Sequence, residues 1–319
     1  MDTKITIIIP VKFVNDNLIE CIENCLRLDY DNFEIIVLPD KKEFIDFPKI
    51  RVIPTGSISP SEKRDIGAEN ATGEILAFID DDAYPAKDWL LHSIKHFDNV
   101  NVAAVGGPGV TPSNDTLSQK ASGLVFSSFA LGPFAYRYVP QKMRDIDDLP
   151  SCNMFVRKSI FEKLGGFGTD FWPGEDTKLC MDIIKKMNMR IVYDPNIIVY
   201  HHRRKLFSPH LNQVWRYAVY EGCFMKKFPE LFGIRNRLVH LLPTFFVVGL
   251  IGGMFLAFVN PFLNSLYFSL IFIYLFLVLV FSVKSALKTE IKAVPLVFVG
   301  VIMTHLTYGF GVIKGMLFQ

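Results

Sequence analysis

Three consecutive aspartates, Asp80, Asp81 and Asp82, are the residues of this 319-residue chain best suited to hold a metal ion. They follow the apolar run 75–79, which is typical of a buried strand. Because side chains alternate along an extended chain, we expect Asp80 and Asp82 on one side and Asp81 on the other. Carboxylates this close repel one another unless a cation compensates. The pattern predicts a divalent cation, Mg²⁺ or Mn²⁺, on Asp80 and Asp82. The alternative is an acidic turn in which Asp82 or Asp88 caps the next helix.

A second acidic pair, Glu175-Asp176, precedes the amphipathic stretch 179–187. We therefore expect it at a helix N-terminus, where a carboxylate is stabilised as the anion. Such a group can take the proton of an attacking hydroxyl. The alternative role for Asp176 is plain helix capping.

Two histidines follow the predicted strand 197–200 in the run 201–204, His-His-Arg-Arg. One of them could be a third metal ligand, and His202 is the better candidate. The alternative is a solvated basic turn.

These residues need elements to position them, and the first two hundred residues alternate between apolar β-type runs and helix-like stretches. We predict strands at 5–9, 33–38, 51–53 and 75–79, and helices at 16–28, 61–71 and 87–96. This alternation indicates an α/β domain, a mostly parallel sheet with helices on both faces. Ligands of such sheets bind beyond the carboxyl ends of the strands. Pro10, Val11, Asp40 and the three aspartates all stand at predicted strand ends.

The C-terminal part is predicted to be a membrane domain. Residues 238–259 and 262–283 are 22-residue runs without a charged side chain, long enough to cross a hydrocarbon core, and 293–313 is a weaker third span. Positive charges precede the first run and lie between the second and third, while 259–261 carries none. Cytoplasmic loops are enriched in Lys and Arg. This predicts an integral protein of the cytoplasmic membrane with its N-terminal domain in the cytosol and its C-terminus outside.

Other features agree with a cytosolic catalytic part. The first apolar run is too short for a secretory signal, and the five cysteines show no metal-ligand spacing. From 201 to 240 eight Lys or Arg stand against two acidic residues, a basic collar beside the membrane that argues against nucleic acid binding. We predict a catalytic domain over 1–225, a juxtamembrane collar over 226–237 and a membrane domain over 238–319.

The chain resembles the family-2 glycosyltransferases, whose fold is called GT-A. The resemblance covers roughly residues 4–225 and rests on motifs in the family's order and spacing. These are Ile-Ile-Ile-Pro-Val at 7–11, Lys-Arg-Asp-Ile-Gly-Ala at 63–68, the aspartates at 80–82, Cys-Asn-Met-Phe-Val-Arg at 152–157, Gly-Gly-Phe at 165–167, Gly-Glu-Asp at 174–176 and Gln-Val-Trp-Arg at 213–216. The best-matching subgroup resembles bacterial exopolysaccharide and lipid-linked glycan transferases with C-terminal spans.

The resemblance implies roles for particular residues. The residues that would bind the donor are Pro10, Val11, Asp40, Arg64, Asp65, Asp80 and Asp81, and those that would bind the metal are Asp80, Asp82 and His202. Asp176 would be the catalytic general base. The residues that would bind the acceptor are Trp172, Glu175, Trp215 and Arg216. Arg64 could instead be a surface charge paired with Glu62 or Glu69, and Trp215 could belong to an interfacial aromatic belt.

The function we expect is inverting transfer of a sugar from a nucleotide-sugar donor to a lipid-linked or glycan acceptor at the cytoplasmic membrane face. One alternative is a polyprenyl-phosphate glycosyl synthase of the dolichol-phosphate-mannose type. The other is a catalytically silent membrane scaffold, which would not need the aspartate pair.

Overall fold

A computed structural model describes residues 3–128, 134–168, 173–228, 234–287 and 289–318. Contacts divide the chain into two compact units. The first comprises Met1–Pro112 and Tyr136–His202, and the second comprises Ser113–Ala135 and Arg203–Gln319. The predicted domain boundaries at 225 and 237 are not where this division falls, because residues 113–135 and 203–225 cluster with the C-terminal helices.

The elements of the first unit follow the predicted alternation. Its strands are β1 (Ile5–Pro10), β2 (Phe33–Leu38), β3 (Ile50–Val52), β4 (Ile75–Ile79), β5 (Ala83–Pro85), β6 (Val102–Gly106), β7 (Gly109–Val110), β8 (Arg144–Asp145), β9 (Asn153–Arg157), β10 (Arg190–Tyr193) and β11 (Val199–His201). Its helices are α1 (Asp16–Cys25), α2 (Pro60–Glu69), α3 (Trp89–Ile94) with a 3-10 turn at Lys95–Asp98, α5 (Lys158–Lys163) and α6 (Glu175–Met187). Helix α4 (Leu117–Phe126) belongs to the second unit.

Eight of these strands form one sheet in the order β3-β2-β1-β4-β9-β6-β10-β8. Strands β3, β2, β1 and β4 pair in parallel, as do β6 and β10, while β9 and β8 run antiparallel to their neighbours. A smaller sheet has the order β5-β11-β7. The prediction of a mostly parallel α/β sheet is confirmed.

Strand β1 shows why the sheet is covered on both faces. All six of its residues are buried, and successive side chains enter different cores: Ile7 and Ile9 pack with helix α1, whereas Ile8 packs with helix α2 and with Phe161. Parallel strands with helices on both faces require such continuous apolar runs. The parallel register of β1 and β4 brings their carboxyl ends, and the polar residues that follow, to one edge of the sheet.

Local sequence fixes where the flanking helices begin. Asn15 caps α1 by accepting a hydrogen bond from the Leu18 backbone N–H. Ser59 and Glu62 form a capping box at the start of α2. These reciprocal bonds satisfy backbone donors that a helix leaves unpaired in its first turn. The start of α2 is therefore well defined, and its register sets which side chains face the sheet edge.

In the second unit, four long helices follow the short α4: α7 (Ser208–Lys227), α8 (Ile234–Ala257), α9 (Pro261–Ala286) and α10 (Val294–Phe318). Three stretches among the described residues are long and apolar enough to cross a membrane, namely Leu238–Ala257, Pro261–Ala286 and Ile291–Leu317. This confirms the predicted set of three apolar helices. Buried apolar side chains of α4, α9 and α10 form a core of their own.

Candidate active site

Asp80, Asp82 and His201 come together at the edge of the large sheet. Asp80 directly follows β4, and β11 pairs antiparallel with β5 so that His201 lies opposite Ala83. One ligand atom from each of the three residues lies within 4.8 Å of the other two, and His201 Nε2 is 3.0 Å from Asp82 Oδ1. Two carboxylates and one imidazole are a suitable donor set for Mg²⁺ or Mn²⁺. The predicted pairing of Asp80 with Asp82 therefore has the geometry that a cation site needs.

The histidine beside the two aspartates is His201, where the sequence pointed to His202. Consecutive side chains of an extended chain point in opposite directions, so only one of the two can face Asp82. His202 Nε2 instead lies 2.8 Å from Glu20 Oε2, and its ring lies near that of Tyr84. Its backbone N–H donates to the Asp82 carbonyl, which holds β11 against the aspartate turn. The geometry therefore favours His201 as the candidate third ligand, and the metal role of His202 stays a prediction.

The charge state of His201 reflects the carboxylates around it. Burial would lower the pKa of His201, but the charge of Asp82 and its hydrogen bond outweigh burial and raise the pKa to about 10. The imidazole thus carries a proton where it faces Asp82. A cation bound to the same atoms would supply the positive charge in its place, so the residues present fit a divalent cation.

Arg64 connects this cluster to the acidic pair at the start of α6. Its side chain is only 4% exposed, with one terminal nitrogen 2.6 Å from Asp80 Oδ1 and the other 3.1 Å from Glu175 Oε1. Burial would lower the pKa of Arg64, but Asp80 and Glu175 together raise it. Glu62 is engaged in the capping box, so the alternative of a surface pair with Glu62 is wrong.

Glu175 and Asp176 occupy the first turn of α6, as predicted. Burial, and then the negative charge of Asp176, raise the pKa of Glu175 to about 7. The Asp176 carboxylate accepts hydrogen bonds from the backbone N–H groups of Ser151 and Thr177, at 3.2 and 2.8 Å. These bonds orient Asp176, while Glu175 faces Arg64.

Asp40 lies at the end of β2 and is paired with a residue that sequence reasoning missed. Lys63 is 3% exposed, and its ammonium donates to Asp40 and to the backbone carbonyls of Val11 and Leu38. The hydrogen bond from Lys63 holds the pKa of Asp40 below its ordinary value. Lys63 therefore joins the ends of β1 and β2, where Pro10 and Val11 stand. The signal was present in the motif at 63–68, whose first residue is a lysine on the face of α2 that meets the sheet.

Two residues predicted to bind donor have other contacts. The Asp65 carboxylate accepts from the backbone N–H groups of Phe167 and Gly168, at 2.9 and 3.5 Å, so it holds the glycine loop that follows α5. Gly166 in that loop has φ +74°, and a Cβ there would approach Asp65 Oδ1 to 2.5 Å. Asp81 accepts a hydrogen bond from the Asn15 side chain at 2.9 Å, and burial raises its pKa to about 6.

The model of glycosyl transferase family 2 matches residues 6–165, which is half of the chain. The chain belongs to glycosyl transferase family 2. The resemblance inferred from the motifs is confirmed, and the protein is a glycosyltransferase.

Relatives of this glycosyltransferase include two archaeal enzymes. It is 24% identical over 70% of its length to the dolichyl N-acetyl-alpha-D-glucosaminyl phosphate 3-beta-D-2,3-diacetamido-2,3-dideoxy-beta-D-glucuronosyltransferase of Methanococcus voltae, and covers 74% of that protein. It is 24% identical over 59% of its length to the glucosyl-dolichyl phosphate glucuronosyltransferase of Haloferax volcanii, and covers 64% of that protein.

Among solved structures, the glycosyltransferase is similar to a mannosyltransferase of Pyrobaculum calidifontis in complex with GDP-Man and Mn²⁺. The TM-score is 0.59 at 17% identity, over 99% of this chain and 87% of that one. This likeness confirms the GT-A fold with its C-terminal helices.

The predicted acceptor residues are distributed differently from the donor residues. Trp172 lies outside the described residues. Trp215 and Arg216 lie on α7 of the second unit, where the Lys314 ammonium is 5.5 Å from the centre of the Trp215 ring. The acceptor roles of Trp172, Trp215 and Arg216 stay predictions, and Glu175 is in contact with Arg64.

Proposed function

We propose that this glycosyltransferase transfers a sugar from a nucleotide-sugar donor with the help of a divalent cation held by Asp80, Asp82 and His201. The observation that carries the proposal is the convergence of these three ligands beside Arg64, at the sheet edge where α/β proteins bind ligands. A bound cation would neutralise charge on the donor's diphosphate and on the departing nucleoside diphosphate. The mannosyltransferase of similar fold was solved with GDP-Man and Mn²⁺, which supports the same choice of ligand class.

The donor's nucleotide would lie over the ends of β1 and β2. Asp40, kept ionised by Lys63, can only accept hydrogen bonds, so it suits a nucleobase that presents an N–H group. Arg64 carries its positive charge between Asp80 and Glu175, close to where the diphosphate would meet the cation ligands. An arginine can form paired hydrogen bonds to phosphate oxygens.

Asp176 is the proposed general base. It would accept the proton of the acceptor hydroxyl while the hydroxyl oxygen forms a bond to the anomeric carbon and the bond from that carbon to the diphosphate oxygen breaks. Attack from the side opposite to the leaving group inverts the anomeric configuration. The two backbone N–H groups that bond to Asp176 hold its carboxylate in one orientation. Glu175 differs, since its ionisation is opposed by burial and its contact is Arg64.

A lipid-linked acceptor at the cytoplasmic face of the membrane completes the proposal. Two relatives have dolichyl phosphate-linked sugars in their names. The chain has apolar helices long enough to cross a bilayer, and the residues around them place Lys and Arg before the first helix and between the second and third. Juxtamembrane cations attract anionic lipid headgroups, and a polyprenyl phosphate carries the same charge.

The test is an activity assay of the full chain in nanodiscs, with UDP-, GDP- and dTDP-sugars as donors. Acceptors are a polyprenyl phosphate and a polyprenyl diphosphate that already carries a sugar, each with Mn²⁺, with Mg²⁺ and with excess chelator. We expect cation-dependent transfer to the sugar-bearing lipid, with the anomeric configuration of the product inverted in its NMR spectrum.

A matched pair of variants makes the assay specific for the site. Asp82→Asn removes a proposed ligand, whereas Asp88→Asn makes the same chemical change at a side chain that is 52% exposed and paired with His92. Loss of transfer in Asp82→Asn alone supports the cation site. Full activity in chelator, or equal activity of the two variants, contradicts it, and transfer to the bare lipid phosphate alone points to a polyprenyl-phosphate glycosyl synthase.

A further inference from the structure

The segment 148–151, which leads into β9, is bonded to the first turn of α6 at two points. The Thr177 hydroxyl donates to Asp148 Oδ1 at 2.7 Å, and the Ser151 backbone N–H donates to Asp176 Oδ2 at 3.2 Å. Asp176 and Thr177 are consecutive, and Asp148 and Ser151 belong to one short segment of the same unit. The two hydrogen bonds therefore close a small ring of residues that contains Asp176.

The segment 148–151 is itself fixed against α6. Leu149 is fully buried and packs in the same apolar cluster as Leu179. The Cys180 thiol lies 3.8 Å from the Leu149 carbonyl, to which it donates. The ring of Pro150 fixes its φ angle, and its carbonyl accepts from the Asn153 backbone N–H. This segment is therefore a firm support for the helix turn bonded to it.

Asp148 is held from its other side by Tyr136 and Arg137. The Arg137 guanidinium pairs with Asp148 Oδ2, and the Tyr136 hydroxyl donates to the Asp148 carbonyl at 2.6 Å. The Tyr136 side chain is buried, and its ring meets the edge of the Tyr193 ring at 5.2 Å. Each carboxylate oxygen of Asp148 thus has a partner, so the orientation that presents Oδ1 to Thr177 is fixed.

Arg137 also offsets the charge of Asp148. A second carboxylate close to Asp176 would repel its negative charge. Burial would lower the pKa of the Arg137 guanidinium, but Tyr136, Tyr138 and Asp176 together raise it. Arg137 therefore keeps its positive charge beside Asp148. The ion pair can support Asp176 without adding net negative charge near it.

The orientation of Asp176 depends on the distance between its two backbone donors. One donor, the N–H of Thr177, belongs to α6, and the other, the N–H of Ser151, belongs to the segment before β9. The bond from Thr177 to Asp148 ties these two pieces of chain together. A general base must lie within hydrogen-bond reach of the proton that it accepts. A displacement of about 1 Å can lower a rate by about 10²-fold.

We propose that Asp148 acts through Thr177 as a positioning residue for Asp176, holding its carboxylate in the orientation that accepts the proton of the acceptor hydroxyl. This inference rests on the proposed role of Asp176 as general base. The bonds of Asp148 go to Thr177, Arg137 and Tyr136, and its role requires no contact with substrate. Its effect should therefore appear in kcat and not in donor affinity.

Two substitutions of Thr177 test this in the full chain in nanodiscs, with the sugar-bearing polyprenyl diphosphate as acceptor. Thr177→Val keeps the shape of the side chain and removes its hydroxyl, whereas Thr177→Ser keeps the hydroxyl. We expect Thr177→Val to lower kcat by about 10- to 100-fold at unchanged donor KM. Thr177→Ser should retain the kcat of the parent chain. Calorimetry with the nucleoside diphosphate should give the same affinity for all three chains, which shows that the fold is intact.

Three results would overturn the proposal: an unchanged kcat in Thr177→Val, an equal loss in Thr177→Ser, or weaker binding of the nucleoside diphosphate in Thr177→Val. The route through Asp148 is tested by combining Thr177→Val with Asp148→Ala. The double variant should be no slower than Asp148→Ala, because the bond is already absent, and losses of kcat that multiply would contradict this route.

Asp176→Asn, measured in the same assay, separates this inference from the proposed function. If Asp176→Asn keeps the kcat of the parent chain, Asp176 is not the general base, and both the proposed role and this inference are wrong. If Asp176→Asn loses kcat while Thr177→Val retains it, the inference about Asp148 and Thr177 alone is overturned.

Discussion

Replacing Arg64 with methionine should destabilise the fold as well as the reaction. The side chains of Arg64 and Glu175 are only 4% and 5% exposed, whereas that of Asp80 is 30% exposed. Removing one partner of a buried ion pair costs about 3–5 kcal/mol, because the other charge stays buried and uncompensated. Asp80 can be solvated, and Arg64 Nε has no hydrogen-bond partner among the described residues. We therefore expect Arg64→Met to lower the free energy of unfolding by about 3 kcal/mol, at the lower end of this range.

The loss of stability in Arg64→Met should be larger at high pH than at low pH. The pKa of Glu175 is about 7 in the folded chain, above its ordinary value of 4.5, so burying it costs little below pH 4.5, costs increasingly more stability as the pH rises from 4.5 to 7, and reaches its full cost above 7. In Arg64→Met the attraction that favours the carboxylate is gone, and the pKa of Glu175 rises further. The variant should therefore lose more stability at pH 8 than at pH 5.5, where Glu175 is protonated in both chains.

The assay is thermal unfolding of the full chain in detergent, followed by tryptophan fluorescence at one scan rate. A loss of about 3 kcal/mol corresponds to a midpoint lower by about 6–12 °C. Arg27→Met is the control, since Arg27 and its partner Glu23 are 63% and 45% exposed and exposed pairs contribute little. Equal shifts for the two variants, or a shift of Arg64→Met that is the same at pH 5.5 and pH 8, would refute this account of Arg64.

Three further predictions concern the reaction. His201→Ala should weaken Mn²⁺ binding, measured by electron paramagnetic resonance, by at least about tenfold, and His202→Ala should leave it unchanged. Weaker binding in His202→Ala with normal binding in His201→Ala would identify His202 as the ligand. Asp176→Asn should lower kcat by about 10²–10⁴ with nucleoside-diphosphate affinity unchanged in calorimetry, and loss of that affinity would make Asp176 a donor-site residue. Lys63→Met should raise the donor KM at nearly constant kcat, because Asp40 loses its partner, and an unchanged KM would contradict that role.

Much of the first unit follows from local patterns. The strands predicted at 33–38 and 75–79 have those bounds in the structure, and the helix predicted at 61–71 appears as Pro60–Glu69. Continuous apolar runs and helix caps act over a few residues, so the sequence displays them directly. The three aspartates lie in a turn, in which Asp81 accepts a hydrogen bond from Asn15 and Asp80 pairs with Arg64.

The details that could not be predicted depend on contacts between distant segments. Which of the two histidines reaches Asp82 is decided by the pairing of β11 with β5, whose register puts His201 opposite Ala83. The strand predicted at 197–200 is Val199–His201 in the structure, and a shift of one residue exchanges the faces. The grouping of 113–135 with the C-terminal helices likewise arises from packing between segments far apart in sequence.

The balance of charge gives the strongest argument for a cation at this sheet edge. Asp80, Asp82 and Glu175 present three carboxylates; Arg64 pairs with Asp80 and Glu175, and His201 pairs with Asp82. Arg64 serves two of these carboxylates at once, and His201 balances Asp82 only while it keeps a proton that burial disfavours. A donor diphosphate would add negative charge to this cluster. A divalent cation bound to the oxygens of Asp80 and Asp82 would offset the negative charge of these carboxylates and of the diphosphate, while Arg64 would remain paired with Glu175. The proposed donor binding at Asp80 would thereby be linked, through Arg64 and Glu175, to the helix that carries Asp176.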